Sequence, residues 1–204
     1  MNYEVFQLIN NLAGQSAILD KIMVFATKST PYIAIIILLA LWFNNRKVDH
    51  AALKKQYTVI YVVLSTVFAL AINAIIHSVY YHPRPFVTHQ VHQLVAHGAD
   101  SSFVSDHSVL VFAIAFTLLL RNDSLKNLVL TWAILVGISR IYIGVHYPLD
   151  VIGGAFLSFM TSFIVVSNEK MVEPLAQFVF RIFKKITIAI PVLSKYYHVT
   201  RRNG

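Results

Sequence analysis

The chain has 204 residues, of which 57% are hydrophobic and only 13% are charged. Because soluble domains carry roughly 25% charged residues, this composition excludes an ordinary soluble protein and favours a multi-span membrane protein. A net charge of +8 would suggest nucleic acid binding in a soluble protein, but the basic residues lie in short loops between apolar segments, which is typical of membrane orientation.

Six segments are predicted as membrane helices, since a hydrocarbon core of about 30 Å needs roughly 20 mainly apolar residues per helix. The first, at about 5–27, is interrupted by AGQS and carries Asp20 and Lys21. The next two lie at about 31–44 and 57–80, and the fourth runs from Asp106 to a stop at Arg121. The last two lie at about 125–144 and 149–167. The N-terminus lacks the features of a removable signal peptide, so we expect insertion to depend on these spans.

The tail at about 172–197 places Arg181, Lys184 and Lys185 within an apolar pattern at helical spacing. This pattern predicts a basic helix at the membrane surface and not a seventh span. With no internal repeat, linker or cysteine, we expect a single domain over 1–204 without disulfides. The predicted fold is therefore all-α, an integral membrane bundle of six transmembrane helices followed by a C-terminal basic amphipathic helix.

Lysine and arginine counts in the loops predict the orientation of this bundle. The segments after the second, fourth and sixth spans carry the basic residues Arg46, Lys47, Lys54, Lys55, Arg121, Lys126, Lys170, Arg181, Lys184 and Lys185. The opposite loops, 81–105 and 139–148, contain only Arg84 and Arg140 as strong bases. Because basic loops remain in the cytoplasm, the loops with Arg84 and Arg140 are predicted to face outward.

The outward loops carry a set of polar side chains suited to phosphate chemistry: Arg84, Ser105, Asp106, His107, Ser139, Arg140, His146 and Asp150. Guanidinium groups match phosphate oxygens bidentately, and the backbone N–H groups at the start of the fourth span would add an anion site. Arg84, Arg140 and the Ser105 hydroxyl would hold the charge of the transition state.

Two histidines in this set suit the two chemical steps of phosphate hydrolysis. His146 would attack phosphorus, with Asp150 four residues later accepting a hydrogen bond from its other ring nitrogen. His107 would donate a proton to the leaving oxygen. This chemistry needs no metal.

Three segments, His77-x6-Arg84-Pro85, Val104-Ser105-Asp106-His107 and Ser139-Arg140-x5-His146-x3-Asp150, resemble known signature motifs. These are the motifs K-x6-RP, PSGH and SR-x5-H-x3-D of the type 2 phosphatidic acid phosphatase superfamily. The third matches at every defined position, and the resemblance covers about residues 57–167. It implies a six-helix membrane phosphatase with a phosphohistidine on His146, His107 as the general acid, and no metal or cofactor.

Three departures from the motifs narrow the resemblance to one group of enzymes within the superfamily. His77 replaces the lysine of the first motif, while Val104 and Asp106 replace the proline and glycine of the second. These changes and the run HPRPFVTHQVHQLVAHGADSSF are similar to the bacterial undecaprenyl-diphosphate phosphatases of the bacitracin-resistance type. The similarity implies that the chain removes the terminal phosphate from a C55 isoprenyl diphosphate at the outer face of the bacterial cytoplasmic membrane, recycling the carrier for peptidoglycan synthesis. The expected partners are this lipid and the bilayer, with no nucleic acid and no obligate protein partner.

Two other functions stay open at this point. One is a phosphatase of phosphatidylglycerophosphate or phosphatidic acid, which would accommodate a single phosphate on a diacylglycerol. The other is a non-enzymatic lipid transporter, which predicts charged residues deep within several spans.

Several residues also have two interpretations. Asp106 would cap the fourth span, act in substrate selection or bond to one of the phosphate-binding arginines. His77 would either bind phosphate or lie at the headgroup boundary, and Ser139 would contact phosphate or a carbonyl. The loop histidines His89, His92 and His97 would be solvated, contribute to a diphosphate site or, less in keeping with the family, bind zinc. Gly153 and Gly154 are expected to permit close helix packing, and an interfacial aromatic belt is expected from Tyr80, Tyr81, Tyr142 and Tyr147.

Overall fold

A computed structural model describes residues 2–43, 50–190 and 192–193, and every extended regular element in these ranges is a helix. The nine helices of the described residues are α1 (Asn2–Asn10), α2 (Ala17–Lys28), α3 (Thr30–Phe43), α4 (His50–Val79), α5 (Pro85–Thr88), α6 (Asp106–Leu120), α7 (Lys126–Tyr142), α8 (Pro148–Ser167) and α9 (Glu169–Ala189). The all-α prediction is thus confirmed for these residues. The basic residues Arg46 and Lys47, and the tail beyond 193, lie outside them.

The N-terminal segment does not form the single helix predicted over residues 5–27. α1 ends at Asn10, Gly14 adopts a φ of +81°, and α2 begins after Ser16, whose hydroxyl accepts the N–H of Leu19. At 1.5 Å per residue, the nine residues of α1 extend about 14 Å, less than half of a hydrocarbon core. α1 packs against α7 and α8, and α2 packs against α7. The prediction of one span here is wrong.

The centre of the bundle is α6, which packs against α4, α7 and α8. Its sequence is apolar on all sides, as expected for a helix surrounded by other helices. Two glycines of α8 allow this close approach. A Cβ on Gly153 would lie 2.7 Å from Val104 Cγ1, and one on Gly154 would lie 2.9 Å from the Cβ of Ser108. The predicted packing role of both glycines is confirmed.

Two helices of the described residues are long and apolar enough to cross a membrane, Ala52–Val79 within α4 and Pro148–Ser167. α2 and α3 meet at a bend of 57° and raise the number to three if they count as one broken span. α6 is apolar but shorter. Apolar side chains exposed on α4 and α8 support contact with lipid: Val63, Val67, Ile75, Ile152, Phe156 and Phe163. The six-span count goes beyond these findings and is not confirmed.

The C-terminal helix α9 is amphipathic. Its buried side chains recur every three or four residues and comprise Val172, Ala176, Phe180, Phe183 and Thr187. Val172, Ala176 and Phe180 pack against α4 and α8, and the Phe183 ring contacts Trp42 and Phe43 of α3. Exposed basic side chains of α9 are Lys170, Arg181, Lys184 and Lys185. The helix extends over Glu169–Ala189 and so begins three residues before the predicted position 172, while residues 194–197 of the predicted segment lie outside the described residues. Its position at a membrane surface stays a prediction.

Candidate active site

Helix ends place the motif residues together at one end of the bundle. Arg84 follows α4, Ser105 precedes α6, Arg140 lies in the last turn of α7, His146 connects α7 to α8, and Asp150 lies in the first turn of α8. The starts of α6 and α8 are joined by a backbone hydrogen bond of 3.2 Å from Ser105 N to Asp150 O. All five residues are at most 2% exposed. The structure therefore forms a buried polar cluster from residues that are up to 66 positions apart, the separation of Arg84 and Asp150.

The contacts of His146 define which ring nitrogen carries the proton. Arg84 Nη1 lies 2.9 Å from His146 Nε2, and a guanidinium group can only donate. Nε2 is therefore the acceptor and is unprotonated, so the proton of the neutral ring is on Nδ1. Nδ1 faces Ser102 Oγ at 3.3 Å and Asp150 Oδ2 at 3.5 Å. The imidazole thus presents the lone pair of Nε2, the atom that a nucleophile requires, beside an arginine.

The surroundings of His146 also keep its ring neutral. Burial lowers the pKa of His146 to about 3, and although the neighbouring Asp150 opposes this effect, Arg140 and Arg84 add to it. A histidine with such a pKa is unprotonated at neutral pH. Its Nε2 is therefore available to attack an electrophile without first losing a proton.

Arg84 is held by protein acceptors on each of its nitrogens. Nη1 donates to Val145 O at 3.1 Å, Nη2 donates to Ser101 O at 3.2 Å, and Nε donates to Asp100 Oδ1 at 2.9 Å. Burial raises the pKa of the Asp100 carboxyl, but the hydrogen bond and charge of Arg84 outweigh it, so the pKa lies below its ordinary value. Asp100 is therefore an ionised carboxylate, bound to the arginine in the way that a phosphate oxygen would be.

Arg140 is a buried guanidinium whose hydrogen bonds are incomplete within the described residues. Its side chain is 2% exposed, and Nη1 donates to Thr27 Oγ1 at 3.3 Å. Within the described residues, its Nε and Nη2 have no partner. A buried charged donor without an acceptor is costly, so two of them on one guanidinium indicate a site for an anion. Neighbouring Ser139 donates to Val136 O at 2.7 Å and contacts Thr27, which favours its carbonyl-binding interpretation.

At the start of α6, Ser105 and Asp106 of the second motif have different hydrogen-bond partners. Ser105 is the N-cap, since its hydroxyl accepts the N–H of Ser108 at 3.4 Å. Asp106 is not the cap and accepts a hydrogen bond of 2.7 Å from Asn73 on α4. His77 Nε2 lies 3.0 Å from Val104 O, so its ring supports the backbone of the second motif. Asp106 and His77 are thus engaged with protein groups, and their predicted phosphate contacts stay predictions.

Two further histidines lie near the cluster. His107 is half-buried in the first turn of α6, within electrostatic reach of Arg84, Arg140 and His97. The His97 ring centre is 6.3 Å from that of His146, and its Nδ1 is 3.6 Å from the Asp100 carboxylate. Burial, followed by the charge of Arg84, lowers the pKa of His97. Of the three loop histidines, His97 is therefore the one beside the candidate nucleophile.

The other loop histidines have structural contacts. His89 stacks on Tyr3 with ring centres 3.8 Å apart. The backbone of His92 donates to Asn10 Oδ1 at 3.0 Å, and its carbonyl accepts from Asn10 Nδ2 at 2.9 Å. The same carbonyl lies 2.7 Å from where a Cβ on Gly144 would be, and Gly144 has a φ of +83°, which favours glycine. Across the part of the chain that the structure describes, no three metal-ligating side chains converge.

Two of the four tyrosines that the sequence assigned to an interfacial aromatic belt are buried in the structure. Tyr80 and Tyr81 are 50% and 60% exposed, as an interfacial belt requires, but Tyr142 and Tyr147 are only 1% and 6% exposed. The N-terminal helices cover them, and the Tyr142 hydroxyl donates to Asp20 at 2.6 Å. The belt prediction is therefore wrong for Tyr142 and Tyr147.

The site also contains two residues that the sequence did not predict, Ser102 and Thr27. Ser102 Oγ lies 2.5 Å from Asp150 Oδ2, and Thr27 contacts Arg140 from α2. The only sequence signal for Ser102 is its position in the run GADSSF, and Thr27 belongs to a segment that hydropathy assigned to a membrane span.

Comparisons with known proteins identify the family of this chain. The sequence profile of the PAP2 superfamily matches residues 58–172. The chain is 37% identical to undecaprenyl-diphosphatase BcrC of Bacillus subtilis, covering 91% of this chain and 93% of that protein. It is 32% identical to the bacitracin transport permease protein BcrC of Bacillus licheniformis, covering 99% and 90%.

The fold is shared with a solved structure as well. The crystal structure of Aquifex aeolicus LpxE is 27% identical, with a TM-score of 0.64, covering 81% of this chain and 94% of that one. The matched residues include all three motifs, and with them the five side chains of the buried cluster: Arg84, Ser105, Arg140, His146 and Asp150. This chain therefore belongs to the PAP2 superfamily.

Proposed function

We propose that this protein hydrolyses undecaprenyl diphosphate to undecaprenyl phosphate and inorganic phosphate, which recycles the lipid carrier for cell-wall synthesis. The similarity to undecaprenyl-diphosphatase BcrC over nearly the whole chain supports this substrate. The observation that carries the activity is the 2.9 Å contact between Arg84 Nη1 and His146 Nε2. It places the lone pair of a neutral imidazole next to a guanidinium that can transfer its hydrogen bond to a phosphate oxygen.

In the first step, His146 Nε2 attacks the terminal phosphorus. An N–P bond forms while the bond to the bridging oxygen breaks, and His107 donates a proton to that oxygen as undecaprenyl phosphate leaves. Arg84, the free donors of Arg140 and the N-terminus of α6 at Ser105 hold the non-bridging oxygens. The negative charge of Asp150, on the Nδ1 side of the ring, stabilises the imidazolium of the phosphorylated histidine.

In the second step, water hydrolyses the phosphohistidine. His107, neutral after the first step, accepts a proton from the attacking water, and the N–P bond breaks to release inorganic phosphate. His146 returns to its neutral form and His107 to its protonated form. Every proton transfer and bond change in this scheme uses the side chains of the chain itself, so no metal or cofactor is assigned to it.

The pattern of charges argues against a transporter as the primary function. A lipid pathway through the bundle would need charged or strongly polar groups deep within several helices. The helix interiors at 56–76, 108–120, 127–138 and 151–167 contain no Asp, Glu, Lys or Arg. The charges instead lie at helix ends, where Arg84, Arg140 and Asp150 surround His146.

Phosphate release by the purified protein in detergent with excess EDTA tests the proposed activity. Undecaprenyl diphosphate, phosphatidylglycerophosphate and phosphatidic acid are offered in parallel at equal concentration. We expect the diphosphate to be hydrolysed with the highest kcat/KM and the rate to be unchanged by EDTA. Preference for a monoester would replace the proposed substrate, and loss of activity in EDTA that added metal restores would contradict the mechanism.

We also propose that the protein is a multi-pass protein of the bacterial cytoplasmic membrane with its active site facing outward. Supporting this, Arg121 and Lys126 lie at the ends of α6 and α7 opposite to Ser105 and Arg140. The basic helix α9 packs against Ile60 and Tyr61 in the first half of α4 and against Val165 near the end of α8, whereas Arg84 follows α4 and Asp150 begins α8. Since the chain has no cysteine, one introduced thiol reports one position. We expect an impermeant thiol reagent to label Gln93→Cys in intact cells and Ser124→Cys only after the membrane is opened; the reverse pattern would contradict the orientation.

A further inference from the structure

A serine outside the family motifs lies between the candidate nucleophile and its carboxylate. Ser102 is fully buried in the segment that precedes α6. Its Oγ is 3.3 Å from His146 Nδ1 and 2.5 Å from Asp150 Oδ2. The direct distance from His146 Nδ1 to Asp150 Oδ2 is 3.5 Å, longer than the 2.7–3.2 Å of ordinary N–H···O bonds. The Ser102 hydroxyl is therefore closer to Nδ1 and to Oδ2 than these two atoms are to each other.

The directions of these hydrogen bonds follow from donors that cannot accept. Because Arg84 must donate to His146 Nε2, the ring proton is on Nδ1 and points toward Ser102 and Asp150. An ionised carboxylate can only accept, so the Ser102 hydroxyl donates to Asp150. Its oxygen lone pairs remain free to accept from Nδ1. A hydroxyl can fill both roles at once, whereas the alanine side chain can fill neither.

The other contacts of Asp150 fix the carboxylate on the side of Ser102. Its Oδ2 also accepts the backbone N–H of Tyr147 at 2.8 Å. Its Oδ1 has no hydrogen-bond partner among the described residues, and the nearest basic group to it is His82 Nδ1 at 3.9 Å. Oδ2, the oxygen that accepts hydrogen bonds, is thus also the one that faces Ser102 and His146. The carboxylate therefore interacts with the imidazole ring mainly through Oδ2.

We propose that Ser102 is a positioning residue that relays the hydrogen bond from His146 Nδ1–H to Asp150 in the reaction. This rests on the proposed phosphatase function. When Nε2 bonds to phosphorus, the ring becomes an imidazolium, and the Nδ1 proton stays in place. Ser102 holds that proton and transmits the stabilisation by the carboxylate, so its hydroxyl contributes to formation of the phosphohistidine. No proton has to leave the ring for this role.

The relay predicts a specific kinetic effect for the removal of one oxygen atom. We expect Ser102→Ala to lower kcat for undecaprenyl diphosphate roughly tenfold to a hundredfold, the usual effect of losing a partner that orients a functional histidine. KM should change less than about threefold, because Ser102 contacts no phosphate-binding donor. Ser102→Thr retains the hydroxyl and should recover most of the wild-type kcat.

Ser158→Ala is the matched control, because Ser158 is equally buried and its hydroxyl donates to Val109 O at 2.8 Å, away from the site. We expect it to leave kcat within about twofold of wild type. An unchanged kcat in Ser102→Ala would overturn the relay, as would an equal loss in the alanine and threonine variants, which would indicate packing alone. The wild-type rate is measured in the same assay before any variant is compared. If the wild-type enzyme hydrolyses no undecaprenyl diphosphate, that result refutes the proposed function and not the relay alone.

Discussion

Replacing His146 with glutamine is expected to abolish phosphate release from undecaprenyl diphosphate, with a fall in kcat of at least about 10⁴-fold. Glutamine has a similar length and its amide oxygen can accept the hydrogen bond of Arg84, so the buried cluster keeps its arginine partner. It cannot form a covalent bond to phosphorus under these conditions. The measurement is single-turnover phosphate release with enzyme in excess over lipid.

The phosphorylated intermediate gives a second readout of the same residue. Rapid quenching at high pH with terminally radiolabelled substrate should trap an acid-labile phosphoenzyme in wild type and none in His146→Gln. His92→Gln is the matched control, because His92 is exposed and its backbone makes the contacts with Asn10. Residual turnover above about 1% of wild type in His146→Gln would show that the nucleophile is another residue.

Replacing Arg140 with lysine is expected to lower kcat/KM by roughly 10²-fold to 10³-fold. The loss follows from geometry, since lysine keeps the positive charge but lacks the fork of donors to which Nε and Nη2 belong, two buried atoms without a partner among the described residues. If those donors hold oxygens mainly in the transition state, kcat falls more than KM rises. Steady-state kinetics with undecaprenyl diphosphate measures both quantities.

The control for this prediction is Arg181→Lys, which makes the same chemical change on the exposed face of α9. It should leave both kinetic constants within about twofold of wild type. Inorganic phosphate as a product inhibitor supplies an independent test, because its inhibition constant should rise in Arg140→Lys if the guanidinium binds the anion. A variant with wild-type kinetics and wild-type phosphate inhibition would remove Arg140 from the proposed anion site.

Much of the helical core could be predicted from hydropathy because its helices are bounded by sharp polar signals. The predicted segment beginning at Asp106 and stopping at Arg121 corresponds to α6, and the segment at 149–167 differs from α8 by one residue. A helix that is apolar over its whole length has the same signature whether lipid or other helices surround it. Composition therefore located α6 but did not show that it is the buried centre of the bundle.

The same ambiguity explains the error at the N-terminus. The segment at 5–27 is apolar enough to resemble a weak span, but several of its apolar side chains pack against the end of the bundle that carries the motifs. Phe6 is buried against Tyr147, and Asn10 is 2% exposed with hydrogen bonds to two distant segments. Average hydropathy does not distinguish burial against protein from burial in lipid, and contacts across more than 130 residues leave no local pattern.

For the site, the sequence by itself determined the chemical groups, because five identities at the spacing Ser139-Arg140-x5-His146-x3-Asp150 define a family motif. The tertiary structure decided how those groups are connected. Its distances assign the neutral-ring proton of His146 to Nδ1 and place the Ser102 hydroxyl between His146 and Asp150. They also show that Arg140 has two donors without a partner among the described residues. Residue types depend only on the chain, whereas hydrogen-bond partners depend on atoms brought within about 3 Å by folding, which sequence spacing does not encode.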